Sequence, residues 1–205
     1  LRRLLVHQAY DRVISIGRKP LAASHPKLIH YEVDMSHPDH YRHLMRGEDL
    51  FIALGTTMKK AGSKEAFYAV DHDLMFNIAK SGSLQNMNQL VLVSSIGADS
   101  RSWVYYLKVK GELEEDVRRL PFWGVHIMRP SVLLGAREEQ RPAEKLAGQL
   151  SKGLQYFSGS ILGDIAPVAA DDVAKAMVQA AQGLKPGVHI HHGSEIAQLA
   201  RVFNS

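Results

Sequence analysis

Tyr106 and Lys110 stand four residues apart, and on a helix that spacing puts both side chains on one face, a single turn from each other. A lysine ammonium beside a phenol favours the phenolate, which equips Tyr106 to act as a general acid or base near neutral pH. Tyr105 is an immediate rival, but the residue four beyond it is Val109, so the spacing selects Tyr106. Ser94 and Ser95 close the apolar run that begins at Gln89, and a hydroxyl there could hydrogen-bond a substrate carbonyl or alcohol oxygen. Ligands of open α/β sheets sit outside the carboxyl ends of the strands, where these serines fall.

Each signal has an ordinary reading beside it. Tyr-x-x-x-Lys arises often by chance, and serines at a strand end commonly satisfy local backbone groups. His189, His191 and His192 invite a metal, but alternate strand residues face opposite ways, so His192 leaves the face that His189 and His191 share. With no acidic third ligand nearby, no metal is expected there, and His37, His40 and His43 read as polar-face residues.

The elements that must position these residues alternate. Helical spacing at Leu1, Leu4, Leu5 and Ala9 starts the chain inside a helix; strands are expected at 12–18, 27–34, 49–55, 89–95 and 124–129. Between them, a short helix over 38–47, a helix from Ser63 to about 81 with Ser63 as its cap, and an amphipathic helix over 104–120 are expected. This pattern predicts an α/β fold, a doubly wound and mostly parallel sheet with helices on both faces. Beyond Pro142 come a helix, a Gly/Ser-rich loop at 158–163, a helix over 171–182, a strand at 188–191 and a last helix from Ser194. The whole chain reads as one domain, with 142–205 covering the substrate side.

Composition limits the function classes. The 205 residues are 45% hydrophobic, enough for one substantial core, and contain no cysteine, which excludes disulfides and thiolate metal sites. The net charge of +4 is dispersed rather than gathered on a face, which argues against nucleic acid. No apolar run approaches the roughly 20 residues that cross a bilayer, and no charged-then-apolar leader opens the chain. A soluble, cytoplasmic protein without a membrane partner is the expectation. A homodimer, through helices such as 104–120, or a protein partner stays open.

Several stretches together carry a resemblance: Ile16-Gly17-Arg18-Lys19, Leu54-Gly55-Thr56-Thr57, Lys60-Ala61-Gly62-Ser63, Val93-Ser94-Ser95-Ile96-Gly97-Ala98-Asp99, Tyr106-Leu107-Lys108-Val109-Lys110-Gly111-Glu112, and Arg129-Pro130-Ser131-Val132-Leu133-Leu134-Gly135. In that order, from the first helix to about residue 180, the chain resembles atypical short-chain dehydrogenase/reductases of the Tat-interacting oxidoreductase type and their bacterial relatives. The resemblance implies a Rossmann-like domain that binds NADP(H), with NAD(H) less favoured, and moves a hydride to or from a small carbonyl or alcohol substrate. Arg18 and Lys19 would clamp a ribose 2′-phosphate, where an acidic residue would favour NAD. Asp34 and Met35 would border the adenine, and Leu54 and Gly55 would run along the cofactor. Tyr106 and Lys110 would be the catalytic pair, with Lys110 also on the nicotinamide ribose and Ser94 or Ser95 as the orienting hydroxyl. Leu133 and Arg141 would line the nicotinamide or substrate side. The alternative in another class is a non-catalytic NADP(H)-binding regulatory or interaction module.

In one respect the sequence departs from that pattern. The family opens with a strand and a glycine-rich turn whose amides hold the pyrophosphate, and no such turn precedes the first helix here. The expectation is a native chain with about twenty more residues upstream, one strand plus one turn.

Overall fold

The computed structural model describes residues 1–131, 133–134 and 167–203, with Leu133 and Leu134 described by their backbone alone. A first helix, α1 (Arg2–Val6), leads into β1 (Val13–Gly17) and β2 (Leu28–Glu32), which pair in parallel from Val13↔Leu28 to Gly17↔Glu32. β3 (Asp49–Ile52), β4 (Gln89–Val93), β5 (Gly124–Met128) and β8 (Gly187–His191) form a four-stranded sheet in the order β3-β4-β5-β8, every pair parallel. A third pair, β6 (Leu133–Leu134) with β7 (Val168–Ala169), is also parallel. The helices are α2 (Met58–Ala61), α3 (Lys64–Tyr68), α4 (Met75–Leu84), α5 (Tyr105–Val117), α6 (Ala170–Gln182) and α7 (Gly193–Arg201).

Alternation along the central strands separates two cores. Leu90 and Leu92 of β4, with Val125 and Ile127 of β5, pack against Met75 and Ile78 of α4 and Leu113 and Val117 of α5. Val91 and Met128 face the other way, onto Val173, Ala176 and Met177 of α6 and Ile196 of α7. Each such buried side chain contributes roughly 2 kcal/mol. Helices on both faces of a parallel sheet are therefore what the apolar strands require.

Where expectation and structure differ, the reasons are local. The helix expected over 38–47 is two 3-10 turns, Pro38–His40 and Arg42–Leu44, because Tyr41 between them leaves helical geometry (φ −128°) to bury its ring. The helix from Ser63 is capped as expected, the Ser63 hydroxyl accepting from the Ala66 amide at 3.1 Å, but it widens into a π-helical stretch at Ala69–Leu74 before continuing as α4.

β1 and β3 are not hydrogen-bonded to each other. Between them lies a cavity of about 1070 Å³, lined by β1, β3, α1 and α6 residues such as Ile14, Leu50, Leu4 and Met177. A polar chain closes the end where both strands start. The Tyr10 hydroxyl donates to Asp49 (2.7 Å), Gln182 donates to Tyr10 (3.0 Å), and Gln89 donates to Asp49 (2.8 Å) and to the Ala181 carbonyl (3.1 Å). Arg3 of α1 forks onto Asp171 at the start of α6, at 2.7 and 2.5 Å, and holds that carboxyl down at about 2.

His126 of β5 sits opposite His189 of β8 and stacks on both His189 and His191, its Nδ1 3.1 Å from His191 Nε2. Burial, then the His191, His189 and Lys185 charges, pushes the His126 imidazole down to about 4; burial also lowers His191, against the pull of Glu195. Folding thus holds both rings below their ordinary pKa of 6.5. Between the two values the unfolded chain binds more protons, so this stability is full above about pH 6.5 and is lost as pH falls toward 4. Equilibrium unfolding is expected to give about 1–2 kcal/mol less stability at pH 5 than at pH 7.5, with His126→Gln shrinking that difference. An equal pH difference in His126→Gln would assign the effect to other groups.

Candidate functional site

Parallel pairing puts the carboxyl ends of neighbouring strands side by side, and the expected site residues sit there. Arg18 and Lys19 follow β1, Asp34 and Met35 follow β2, Leu54 and Gly55 follow β3, and Ser94 and Ser95 follow β4. Tyr106 and Lys110 lie on α5, one turn apart. Leu133 enters β6, its side chain outside the described atoms, and Arg141 lies outside the described residues.

The first strand ends are open. Arg18 and Lys19 are exposed, and the ring of His30 donates through Nε2 to the Lys19 carbonyl (2.9 Å), which fixes the turn that presents them. Asp34 is exposed and accepts from the Ser36 amide (2.9 Å) and hydroxyl (2.6 Å); these bonds hold its carboxyl below the usual range. Met35 instead turns into the core beside Tyr41 and Met45. Leu54 and Gly55 are exposed at the end of β3.

Around α5 the polar groups are buried and paired. The Lys110 ammonium, 3% exposed, lies 2.7 Å from Oδ1 of Asp71, which is 1% exposed, and 3.9 Å from the Met75 sulfur. The other oxygen of Asp71 accepts from the Thr56 amide at 2.6 Å. A Cβ on Gly55 would stand 3.2 Å from the same carboxylate, so glycine lets the β3 exit come this close. Sequence reasoning missed Asp71; an acidic residue in an otherwise helical run from Ser63 carried no signal of its own.

The two serines divide. Ser94 donates to Oε1 of buried Glu114 (2.6 Å), which also takes Arg129 Nε (2.9 Å); Oε2 takes Arg129 Nη2 (2.6 Å) and Arg118 Nη2 (2.9 Å). That hydroxyl is committed to joining β4 to α5. Ser95 makes a longer bond to the Ile96 carbonyl (3.2 Å). The tyrosines divide as well. Tyr105 donates to the Lys64 carbonyl (2.9 Å) under the Lys64 ammonium, and its phenol is raised by burial and by Glu65 and Glu112. Tyr106 packs its ring 6.0 Å from Phe67, and its hydroxyl makes no hydrogen bond among the described residues. Of the two hydroxyls, only that of Tyr105 is engaged by a backbone carbonyl.

Among the described residues no group of three or more histidine and acidic side chains forms a metal-holding cluster, and no described helix is long and apolar enough to cross a membrane.

No protein-family model matches the chain. The sequence is 33% identical to the FMP52 protein of Candida glabrata over 219 aligned positions, covering 100% of this chain and 91% of that one. It is 38% identical to the HTATIP2 protein of Rattus norvegicus over 154 positions, covering 72% of this chain and 62% of that one. Among solved structures, the fold matches a dTDP-glucose 4,6-dehydratase of Streptomyces venezuelae with NAD bound (TM-score 0.68, 18% identity, 98% of this chain and 74% of that one). It also matches a dTDP-4-dehydrorhamnose reductase of Bacillus anthracis in complex with NADP (TM-score 0.57, 14% identity, 87% and 74%). These likenesses establish a Rossmann-like fold. They also correct one expectation: the FMP52 relatives in four fungi are named as mitochondrial, which overturns the expected cytoplasmic placement. Composition carries no address, and the lack of thiols suits any reducing compartment.

Proposed function

Because the chain belongs to the family of the FMP52 and HTATIP2 proteins, atypical short-chain dehydrogenase/reductases, we propose that it is an NADP(H)-dependent oxidoreductase acting on a small carbonyl or alcohol. The observation that carries this reading is the meeting of the β3 exit with the Tyr106–Lys110 helix through Asp71, at the carboxyl end of a parallel sheet.

The residues present suit the two ends of a nicotinamide dinucleotide. Exposed Arg18 and Lys19 offer a fork and a point charge to a ribose 2′-phosphate, with Asp34 at the adenine side. Leu54 and Gly55 let the cofactor pass close to backbone, and Lys110 stands toward the nicotinamide ribose. When bound, the cofactor supplies a hydride for the carbonyl carbon. Tyr106 gives its hydroxyl proton to the carbonyl oxygen as negative charge develops there, and recovers it from solvent. Ser95 orients that oxygen, a role supported by the engagement of Ser94 with Glu114. The names of the fungal relatives support a mitochondrial setting.

Titrating NADPH and NADH, and then following NADPH absorbance with a panel of aldehydes, ketones and quinones, tests the reading. Tighter binding of NADPH and a loss of turnover of about 10²-fold or more in Tyr106→Phe, with NADPH affinity unchanged, are expected. Unchanged turnover in Tyr106→Phe would remove its proton-transfer role. A second reading, a regulatory module that binds NADP(H) without turnover, draws on Lys110 and Ser94 both being held in buried pairs. Binding with no turnover across the panel would select it.

A further inference from the structure

Asp71 is ionisable, buried and outside the proton transfer described. Its two oxygens are divided: Oδ1 faces the Lys110 ammonium at 2.7 Å and Oδ2 takes the Thr56 amide at 2.6 Å. It lies in the π-helical stretch Ala69–Leu74, a widened turn of the kind that recurs at functional positions. Gly55 leaves room for the carboxylate where any side chain would crowd it.

We infer that Asp71 is a positioning residue: its carboxylate fixes the Lys110 ammonium on α5 and docks the β3 exit to the same point. The inference rests on the oxidoreductase reading, since a fixed Lys110 matters through Tyr106 and the cofactor ribose. A lysine has a flexible four-carbon stem, and one bound only by water would sample many positions. Here a single buried carboxylate selects one. Because the same carboxylate holds Thr56, a shift of the Leu54–Thr57 loop on cofactor binding is transmitted to Lys110 without an intervening residue. A purely structural pair would hold the fold together and do nothing else, and buried pairs are weak contributors to stability in themselves.

Asp71→Asn keeps the shape and can still accept from the Thr56 amide, but leaves the Lys110 charge buried and unpaired. Its Tm is expected to fall by roughly 10 °C, with half or more regained in Asp71→Asn/Lys110→Met, which buries no charge. At a temperature where each variant is folded by circular dichroism, Asp71→Asn should lose about 30-fold in kcat, with a smaller weakening of NADPH binding through the displaced Lys110. The double variant should turn over no more slowly than Lys110→Met alone, because Asp71 acts through Lys110. Wild-type kcat in folded Asp71→Asn would make the pair structural only and overturn the inference. So would equal Tm values in the single and double variants. If the wild-type protein binds NADPH but turns over nothing, the functional reading fails and the positioning role falls with it, while the Tm comparison still reports whether the pair forms as described.

Discussion

Gly111→Ala is expected to destabilise the protein by about 4 kcal/mol or more, enough to lower Tm by roughly 10–15 °C and to halve or worse the folded yield at 37 °C. Two effects oppose each other. Helix propensity favours alanine over glycine by about 1 kcal/mol in a helix interior. Against this, a Cβ at Gly111 would stand 2.1 Å from the Ser100 amide nitrogen, 2.2 Å from the Asp99 carbonyl carbon and 2.6 Å from the Asp99 Cα. All three are backbone atoms, so no side chain can swing aside. The loop itself is tied to α5 by the Asp99 amide on the Leu107 carbonyl (3.1 Å). Relief therefore requires α5 to move off the 99–100 loop by an ångström or more, carrying Tyr106 and Lys110 with it. Thermal unfolding with a parallel Gly62→Ala control separates the causes, since a Cβ at Gly62 meets nothing within 4 Å and costs only the strain of its φ of +80°. A Gly111→Ala protein as stable as wild type would mean that the helix does not pack on that loop as described.

That close approach shows where sequence reading ran out. The apolar runs 89–95 and 124–129 announced buried strands, and the Tyr106–Lys110 spacing announced one helix face, because each signal is local and periodic. Gly111 in the middle of a helix is a neutral letter until the backbone 11 residues upstream is folded against it. Likewise Ser94 and Ser95 were indistinguishable as strand-end hydroxyls. What separates them is Glu114, 20 residues on, and Arg129, 15 beyond that, brought together only when α5 lies across β4 and β5. Lys110 was legible as a cation one helical turn from Tyr106, whereas its partner Asp71 was not, since their pairing depends on a π-helical turn that no residue pattern marks. The separation of the β1–β2 pair from the β3-β4-β5-β8 sheet had no local signal, since it shows only once the strands are paired.

Glu114→Gln is the second large effect expected, a loss of about 3 kcal/mol in urea unfolding. Glu114 is 1% exposed, and its carboxylate takes four hydrogen bonds, two from Arg129 and one each from Arg118 and Ser94. The amide keeps the volume and one acceptor oxygen but turns the other into a donor facing cations. The two arginines answer differently. Arg118 is 35% exposed and can turn to water, whereas Arg129 is 17% exposed and is also held by the Ala98 carbonyl at 3.1 Å. The cost should therefore come from the stranded Arg129 guanidinium. Adding Arg129→Met to Glu114→Gln is expected to recover a good part of the loss, and adding Arg118→Met to recover little. Equal recovery from either arginine would show that the charge is shared rather than localised. No loss in Glu114→Gln itself would mean that Ser94 is not anchored through Glu114, and would return its hydroxyl to the substrate side of β4 as a rival to Ser95.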